Sequence, residues 1–150
     1  MTAIPNKSNG DILYAPNLFK IVDETVTRSY VSSPDILSDS TLLSMTIPAN
    51  TVSSGILVNG DVFINNSYFV GSWIKVNLKI GSPTAEVTKV THTLSDKTIN
   101  YQGGGSYENV FYFDKSADYT KPVNVLITGQ CQIADSNINM SGGQLIVFGV

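Results

Sequence analysis

The stretch VNVLITGQCQI, residues 123–133, decides the fold, because apolar or small residues alternate with mostly polar ones along its length. The segments ILVNGDVFI (56–64) and WIKVNLKI (73–80) alternate in the same way, with polar side chains such as Asp61 and Lys75 between the apolar ones. Successive side chains of a β-strand point to opposite faces, so this period of two is typical of antiparallel strands with one solvated face. The three segments therefore predict long, half-buried strands.

Shorter segments of the same kind fill the rest of residues 41–150. The further candidate strands are Leu42–Ile47, Val87–Leu94, Thr98–Tyr101, Tyr107–Asp114 and Gln144–Val150. Turns are predicted at Pro48–Asn50, Asn65–Ser67, Gly81–Pro83, Gly103–Gly105 and Ser141–Gly143. Within 87–94 the apolar residues change from odd to even positions, which indicates a β-bulge. About eight strands at this spacing predict an all-β fold, a jelly-roll-like antiparallel β-sandwich, with the apolar run Leu145–Phe148 as an inner strand.

The N-terminal part has a different pattern. Leu18, Val22, Val26 and Tyr30 recur every four positions within Asn17–Ser32, which places them on one stripe of a helix, and a proline two residues later stops a helix. Such a helix is marginal alone in water and must pack on the domain or on copies of itself. We therefore expect an N-terminal arm over residues 1–40, with a helix around 17–32, and a sandwich domain over residues 41–150.

Composition and charge exclude several classes of protein. A hydrophobic content of 42% excludes a disordered chain, and 15 Val and 14 Ile against 6 Ala favour sheet. The net charge is −3, and the nine Lys and Arg residues form no cluster, so we expect no nucleic-acid partner. No run approaches 18 apolar residues, so we expect no membrane span.

The same composition bears on where the protein acts. Cys131 is the only cysteine, so no intramolecular disulfide can form, and the polar segment Met1–Gly10 lacks the regions of a signal peptide. We therefore expect synthesis in a cytoplasm without secretion. Yet only 14% of the residues are charged, and 17 Ser, 13 Thr and 13 Asn supply the polar surface, as in proteins that work outside a cell. This combination is typical of a virion protein.

Four short stretches carry a family resemblance. GDILYAPNL (10–18) resembles a segment found near the start of phage tail-fibre and other virion proteins. LSMTIPANT (43–51) is similar to the strand and turn that open many phage jelly-roll modules, and Ser54–Leu57 and Val125–Gly129 fit the same layout. Modules of that family are usually trimeric and serve as fibre, spike or capsid-decoration parts. The resemblance therefore implies a homotrimeric virion component.

The sequence gives no positioned catalytic group. Nucleophilic catalysis needs a base held against the nucleophile, but His92 is the only histidine and no G-x-S-x-G motif is present. Cys131 falls at a strand position predicted to face the core, where a thiol behaves as a small apolar group. Glu86 and Glu108 could pair across strands, as glycoside hydrolysis requires, but most carboxylates fall in turns. We expect no catalytic residues and no enzymatic activity.

Metal and cofactor sites are not expected either. Asp135–Asn139 alternates oxygen ligands like the first half of a calcium loop, but Met140 stands where that loop requires glycine and Ile146 where it requires glutamate. An Asx-rich turn explains the same residues. The glycine run 103–105 lacks the G-K-[ST] ending of a phosphate-binding loop. The loops 102–107 and 114–121 are the first places to look for binding contacts.

Apolar side chains at strand positions predicted to face solvent are a better functional signal than the motifs above, because a contiguous exposed apolar patch marks an interface. Tyr107–Phe113 is aromatic on both faces, which fits either a covered central strand or subunit packing. The candidate interface residues are Leu18, Val22, Val26, Tyr30, Leu57, Phe63, Trp73, Tyr112 and Leu126.

The sequence therefore predicts a viral structural protein that acts by binding. Expected partners are two further copies in a homotrimer, other virion proteins, and a host-surface glycan or receptor. The alternative is a carbohydrate-binding or lectin-like module, which predicts a glycan site at Trp73 or at loop tyrosines. A polysaccharide depolymerase is the third hypothesis, and it predicts loss of activity on changing Glu86, Glu108 or His92.

Overall fold

The computed structural model describes residues 20–26, 30–32, 39–66, 73–95, 105–132 and 138–149. Within these residues, all regular structure is β. The strands are β1 (Lys20–Val26), β2 (Tyr30–Ser32), β3 (Ser40–Ile47), β4 (Ile56–Asn66), β5 (Trp73–Ser82), β6 (Ala85–Ser95), β7 (Gly105–Asp114), β8 (Val123–Cys131) and β9 (Ile138–Gly149).

The strands form two antiparallel sheets. One sheet has the order β1-β9-β4-β7, with the short β2 also paired to β9, and the other has the order β3-β8-β5-β6. The pairs are nested along the chain: β1 and β2 pair with β9, β3 with β8, β4 with β7, and β5 with β6. The chain is thus one long antiparallel hairpin whose two halves are distributed over both sheets. The last described strand, β9, has partners on both sides, which confirms it as an inner strand.

The core lies between the two sheets and is built from the apolar set of each strand. Its fully buried residues come from both sheets: Val58, Val62, Ile64, Leu145 and Val147 from the first, and Leu43, Ile74, Val76, Leu78, Ile80, Val125 and Ile127 from the second. Along β5 and β8 the buried residues follow the predicted alternation, apart from Asn77 and Thr128. The predicted all-β, antiparallel two-sheet fold is confirmed.

Gly60 shows how closely the two sheets approach. A Cβ atom at Gly60 of β4 would lie 2.1 Å from Cδ1 of Ile127 on β8, in the opposite sheet. The absence of a side chain at position 60 leaves the space that the Ile127 side chain fills. Such interdigitation is typical of two sheets that share one core.

Register shifts interrupt four of the described strand pairs, β1–β9, β3–β8, β4–β9 and β5–β6, and two of them bear on the sequence predictions. In β6 the register shifts opposite Leu78 and Lys79, which leaves Lys89 as the extra residue and confirms the bulge predicted within 87–94. In β9 the register shifts opposite Gly60 and Val62, at Gly143. The turn predicted at 141–143 is therefore wrong, because these residues continue β9 through a bulge. Two adjacent glycines fit a bulge as well as a turn.

The helix predicted around 17–32 is also wrong where the structure describes that range. Lys20–Val26 and Tyr30–Ser32 are strands that pair with β9. A spacing of four is a multiple of two, so a sequence pattern with that spacing fits one face of a strand as well as a helix stripe. The segment is also rich in β-branched residues, which favour strands, and pairing with β9 satisfies its backbone. Residues 17–19 and 27–29 lie outside the described residues, and the division at residue 40 stays a prediction.

Candidate interaction surface

The outer face of the five-stranded sheet carries unusually large side chains for a solvated surface. Its geometry is set by the register of three neighbouring strands, because directly opposite residues project from the same face. Leu57 of β4 lies opposite Phe113 of β7 on one side and Phe148 of β9 on the other. Two residues further along, Asn59 lies between Phe111 and Ile146.

These residues form a contiguous apolar patch at one end of the sheet. Phe111 is 61% exposed and Phe113 is 39% exposed, whereas Leu57, Ile146 and Phe148 are half-buried. Scattered exposed apolar residues are normal, but contiguous ones mark contact surfaces. We refer to Leu57, Phe111, Phe113, Ile146 and Phe148 as the apolar patch.

Toward the other end of the same face, an aromatic pair adjoins a polar cluster. Tyr107 is 75% exposed, and its ring centroid lies 4.9 Å from that of Phe63 on β4. The Asn109 side-chain amide donates hydrogen bonds to Asp61 Oδ1 at 2.6 Å and to Asn59 Oδ1 at 2.8 Å. We refer to these five residues as the Tyr107 cluster.

The outer face of the four-stranded sheet is polar by contrast. The Asp39 carboxylate accepts hydrogen bonds from Lys79, Asn77 and Thr128, which link β5 and β8. Burial opposes ionisation of Asp39, but these donors outweigh it and hold the pKa of the carboxyl below its usual value. Thr91 donates to Asn77 and extends the network to β6. This face is a hydrogen-bonded polar surface.

Two predicted interface residues lie on this polar face. Trp73 is half-buried, and Lys75 Nζ lies 4.3 Å from the centroid of its ring, which is a cation–π contact. Leu126 is half-buried among polar neighbours on β8. Neither residue adjoins the apolar patch or the Tyr107 cluster, since both lie on the other sheet.

The remaining predicted interface residues are distributed over several places. Leu57 belongs to the apolar patch and Phe63 to the Tyr107 cluster. Tyr112 is half-buried and packs against the core, while its neighbours Phe111 and Phe113 are the exposed residues of β7. Val22 and Val26 lie on β1, Tyr30 lies on β2, and Leu18 is outside the described residues.

The sequence did not identify Phe111, Phe113, Ile146 or Phe148 as interface residues. On β7 every residue from 110 to 113 is apolar, and Leu145–Phe148 is continuously apolar, so neither segment reveals which set faces out. The signal that could have found them is the long-range register with β4, whose Asn59 and Asp61 mark the outer face.

The two edge strands β6 and β7 are joined by ionisable side chains. His92 Nδ1 lies 2.5 Å from Glu108 Oε1, and Lys89 Nζ lies 3.3 Å from Asp114 Oδ1. An inward-pointing ion pair such as Lys89–Asp114 discourages edge-to-edge aggregation. Two candidates for hydrolysis, His92 and Glu108, are thus neighbours. Glu86 accepts hydrogen bonds from Asn124 and from the Thr84 backbone, near the β5–β6 turn.

The loop 114–121 is organised by one buried carboxylate. Asp114 is 1% exposed and accepts hydrogen bonds from the Ser116 and Ala117 backbone N–H groups, the Ser116 hydroxyl and the Tyr119 hydroxyl. Burial alone would raise its pKa, but these donors and Lys89 outweigh burial and hold the pKa below its usual value. Burial beside this carboxylate raises the pKa of the Tyr119 hydroxyl. The loop is therefore well anchored.

Several other candidates carry no site in the described part of the chain. Residues 135–137 of the calcium-like segment and 101–104 of the glycine-rich loop lie outside it. Among the described residues, no group of three or more His, Cys, Asp or Glu could hold a metal ion. Cys131 is buried in the core. The described residues include no helix that is long and apolar enough to cross a membrane.

Comparison of the sequence with protein-family models and with curated proteins finds no match. The fold is similar to that of the VP2 subviral particle of infectious bursal disease virus, with a TM-score of 0.55 and 14% sequence identity over 89% of this chain. Structures of the Gx and Gt strains of that virus give TM-scores of 0.46 and 0.48, with 14% and 15% identity over 87% of this chain. The chain spans about a third of the length of those chains, 33%, 31% and 32%.

Proposed function

We propose that this chain is a jelly-roll structural component of a virion that assembles as a homotrimer. The nested strand order carries the proposal, since a long antiparallel hairpin shared between two sheets is the plan of a jelly roll, a fold used by viral capsid and lectin domains. The likeness to the VP2 subviral particle supports the same fold over most of the chain. The step from fold to role is an analogy.

The apolar patch is the surface that we propose for assembly. Homo-oligomer interfaces bury aromatic side chains, and Phe111 and Phe113 are large rings that are exposed in the isolated chain. In a cyclic trimer, residues beside the three-fold axis meet their own symmetry mates. Placing the patch at that axis removes both rings from water in each of the three subunits.

The role that we propose is binding without catalysis. His92 and Glu108 tie the edges of the two sheets together, so a structural role accounts for both side chains. A depolymerase would instead need them as an acid–base pair, and Glu108→Gln would then abolish polysaccharide cleavage. The proposed partners are copies of this chain, other virion proteins and the host surface, with synthesis in the host cytoplasm and a final location in the virion.

The alternative, a carbohydrate-binding module, is favoured by the exposed Tyr107 ring beside a cluster of amide and carboxylate groups. A virion attachment protein and a free glycan-binding module can share such a site. The two roles differ in location and oligomeric state.

Antibody labelling of purified particles of the virus that encodes this chain tests the virion role. We expect labelling on intact particles and a copy number per particle divisible by three, measured by quantitative peptide mass spectrometry. Particles purified from cells infected with a deletion mutant are the control. Recovery of the chain only from the soluble lysate, with unlabelled particles, would contradict the proposal.

A further inference from the structure

The Tyr107 cluster combines two kinds of chemistry on one solvated face. Tyr107 is 75% exposed, and its ring packs at a tilt against that of Phe63, the residue directly opposite on β4. Asn109, the next outward residue on β7, lies about 7 Å further along the strand. An exposed aromatic ring and a set of hydrogen-bonding groups therefore lie within the span of one sugar ring and its hydroxyls.

The polar half of the cluster is held in place by its own hydrogen bonds. Asn109 uses its amide hydrogens on Asn59, Asp61 and the Gly60 carbonyl oxygen. Within the part of the chain that the structure describes, the Asn109 carbonyl oxygen, the Asn59 amide hydrogens and the second Asp61 oxygen have no hydrogen-bond partner. Two acceptors and a two-hydrogen donor on rigid strands match a pair of neighbouring hydroxyl groups, each of which donates and accepts.

We propose that the Tyr107 cluster binds a neutral oligosaccharide. The C–H face of a pyranose ring packs on the negative face of an aromatic ring, and the hydroxyls at the ring edge exchange hydrogen bonds with planar amide and carboxylate groups. The inference rests on the proposed function, because it identifies the class of surface molecule to which the virion component attaches.

The negative charge of the cluster and of the chain favours the binding of neutral sugars over acidic ones. Asp61 lies within the cluster, and no cation contacts it among the described residues. The net charge of the chain is −3. A sialic or uronic acid carboxylate placed beside Asp61 would lose its own hydration without gaining a partner of opposite charge.

Trp73 is the less suitable platform for a sugar, although it is the larger ring. The Lys75 ammonium lies 4.3 Å from its centroid and competes for the ring face. Trp73 is half-buried, whereas Tyr107 is exposed. The two rings lie on different sheets, so a substitution at one leaves the other in place.

Isothermal titration calorimetry and saturation-transfer NMR on the whole chain test the proposal. The probes are lactose, maltotriose and triacetylchitotriose as neutral sugars and sialyllactose as the acidic control. We expect binding of at least one neutral sugar and at least fivefold weaker binding of sialyllactose than of lactose. Tyr107→Ala and Asn109→Leu each weaken the binding at least tenfold, Tyr107→Phe keeps it within about twofold, and Trp73→Ala leaves it unchanged.

Three outcomes overturn the inference: none of the neutral sugars binds, sialyllactose binds as tightly as lactose, or Trp73→Ala abolishes binding while Tyr107→Ala does not. Circular dichroism melting of each variant confirms that the fold is retained. If the chain is a trimer on labelled particles but binds no sugar, this inference is contradicted and the proposed virion role is not. If the chain binds sugar but is monomeric and absent from particles, the proposed virion role is contradicted and the sugar-binding inference is not.

Discussion

Asp114 holds a buried hydrogen-bond network at the end of β7. Its carboxylate is almost completely buried, yet it receives four hydrogen bonds from its own loop and an ion pair from Lys89 of β6. Lys89 in turn donates to the Ser116 hydroxyl. Because all of these donors converge on one carboxylate, a single residue fixes a loop and joins the edges of both sheets.

Replacing this carboxylate is therefore costly. We expect Asp114→Ala to lower the free energy of unfolding by about 2–4 kcal/mol, because several buried donors and the Lys89 ammonium lose their acceptor. Urea denaturation measures the change through the midpoint at unchanged slope. Asp118→Ala is the matched control, since Asp118 is an exposed carboxylate in the same loop and should leave the midpoint nearly unchanged. Equal midpoints for the two variants would contradict the role of Asp114.

The same residue gives stability a pH dependence of known sign. The pKa of Asp114 in the folded chain lies below the value of about 3.9 for a free aspartate. Its contribution is therefore complete above that value and is lost as pH falls through the folded pKa. Melting temperatures measured from pH 6 to pH 2 should fall less steeply for Asp114→Asn than for the wild type. Parallel curves for the two proteins would show that another group controls acid unfolding.

The importance of Asp114 could not be predicted from the sequence. In the sequence it resembles Asp118, another aspartate of the same loop, which is exposed. What distinguishes it is the approach of Lys89, which belongs to the other sheet and is positioned by the β6 bulge. The sequence predicted the bulge from the shift of apolar positions, but not which side chain the bulge turns toward β7.

At the scale of single elements, the sequence pattern predicted the buried face of a strand where the other face is polar. It did not predict the buried face where both faces are apolar. β4, β5 and β8 carry polar residues on alternate positions, so their buried set was predictable. In β7 and β9 both sets are apolar, and the choice between them is made by pairing with β4. The N-terminal strands were mistaken for a helix because a period of four fits both structures.

The β9 bulge is a further element whose residues are set by packing. A Cβ atom at Gly142 would lie 2.6 Å from the Leu42 carbonyl oxygen and 2.5 Å from Leu43 Cγ, both on a neighbouring strand of the other sheet. At Gly60 the closest atom is the flexible Cδ1 end of Ile127, which can rotate away. Backbone cannot move aside as a terminal methyl group can.

We therefore expect Gly142→Ala to destabilise the fold more than Gly60→Ala. The expected losses in the free energy of unfolding are about 2–3 kcal/mol and about 1 kcal/mol, from overpacking between the sheets. Both variants are made in the same background and compared by urea denaturation. A larger loss for Gly60→Ala would mean that the sheets are fixed at Ile127 rather than at Leu42 and Leu43.

At the scale of the whole molecule, the two outer faces of the sandwich have different chemistry. The four-stranded sheet presents a hydrogen-bonded polar network around Asp39, which gains little from contact with another protein. The five-stranded sheet presents the apolar patch, with the Tyr107 cluster beyond it. This asymmetry favours self-association through the five-stranded sheet and leaves the Tyr107 end available for a ligand.

The assembly proposal predicts which substitutions separate the subunits. We expect Phe111→Ser combined with Phe113→Ser to convert the trimer to a monomer, because each ring leaves the proposed three-fold axis. Val87→Ser is the matched control, since Val87 is also an exposed apolar residue, 59% exposed, but lies on the other sheet. A trimer that survives the double substitution and dissociates with Val87→Ser would place the interface on the four-stranded sheet.

The mass of the wild-type chain in solution, measured by multi-angle light scattering across a concentration series, tests the central claim most directly. The account predicts one species of about 49 kDa, three times the 16.2 kDa of one chain. A single species of 16.2 kDa at every concentration would contradict it.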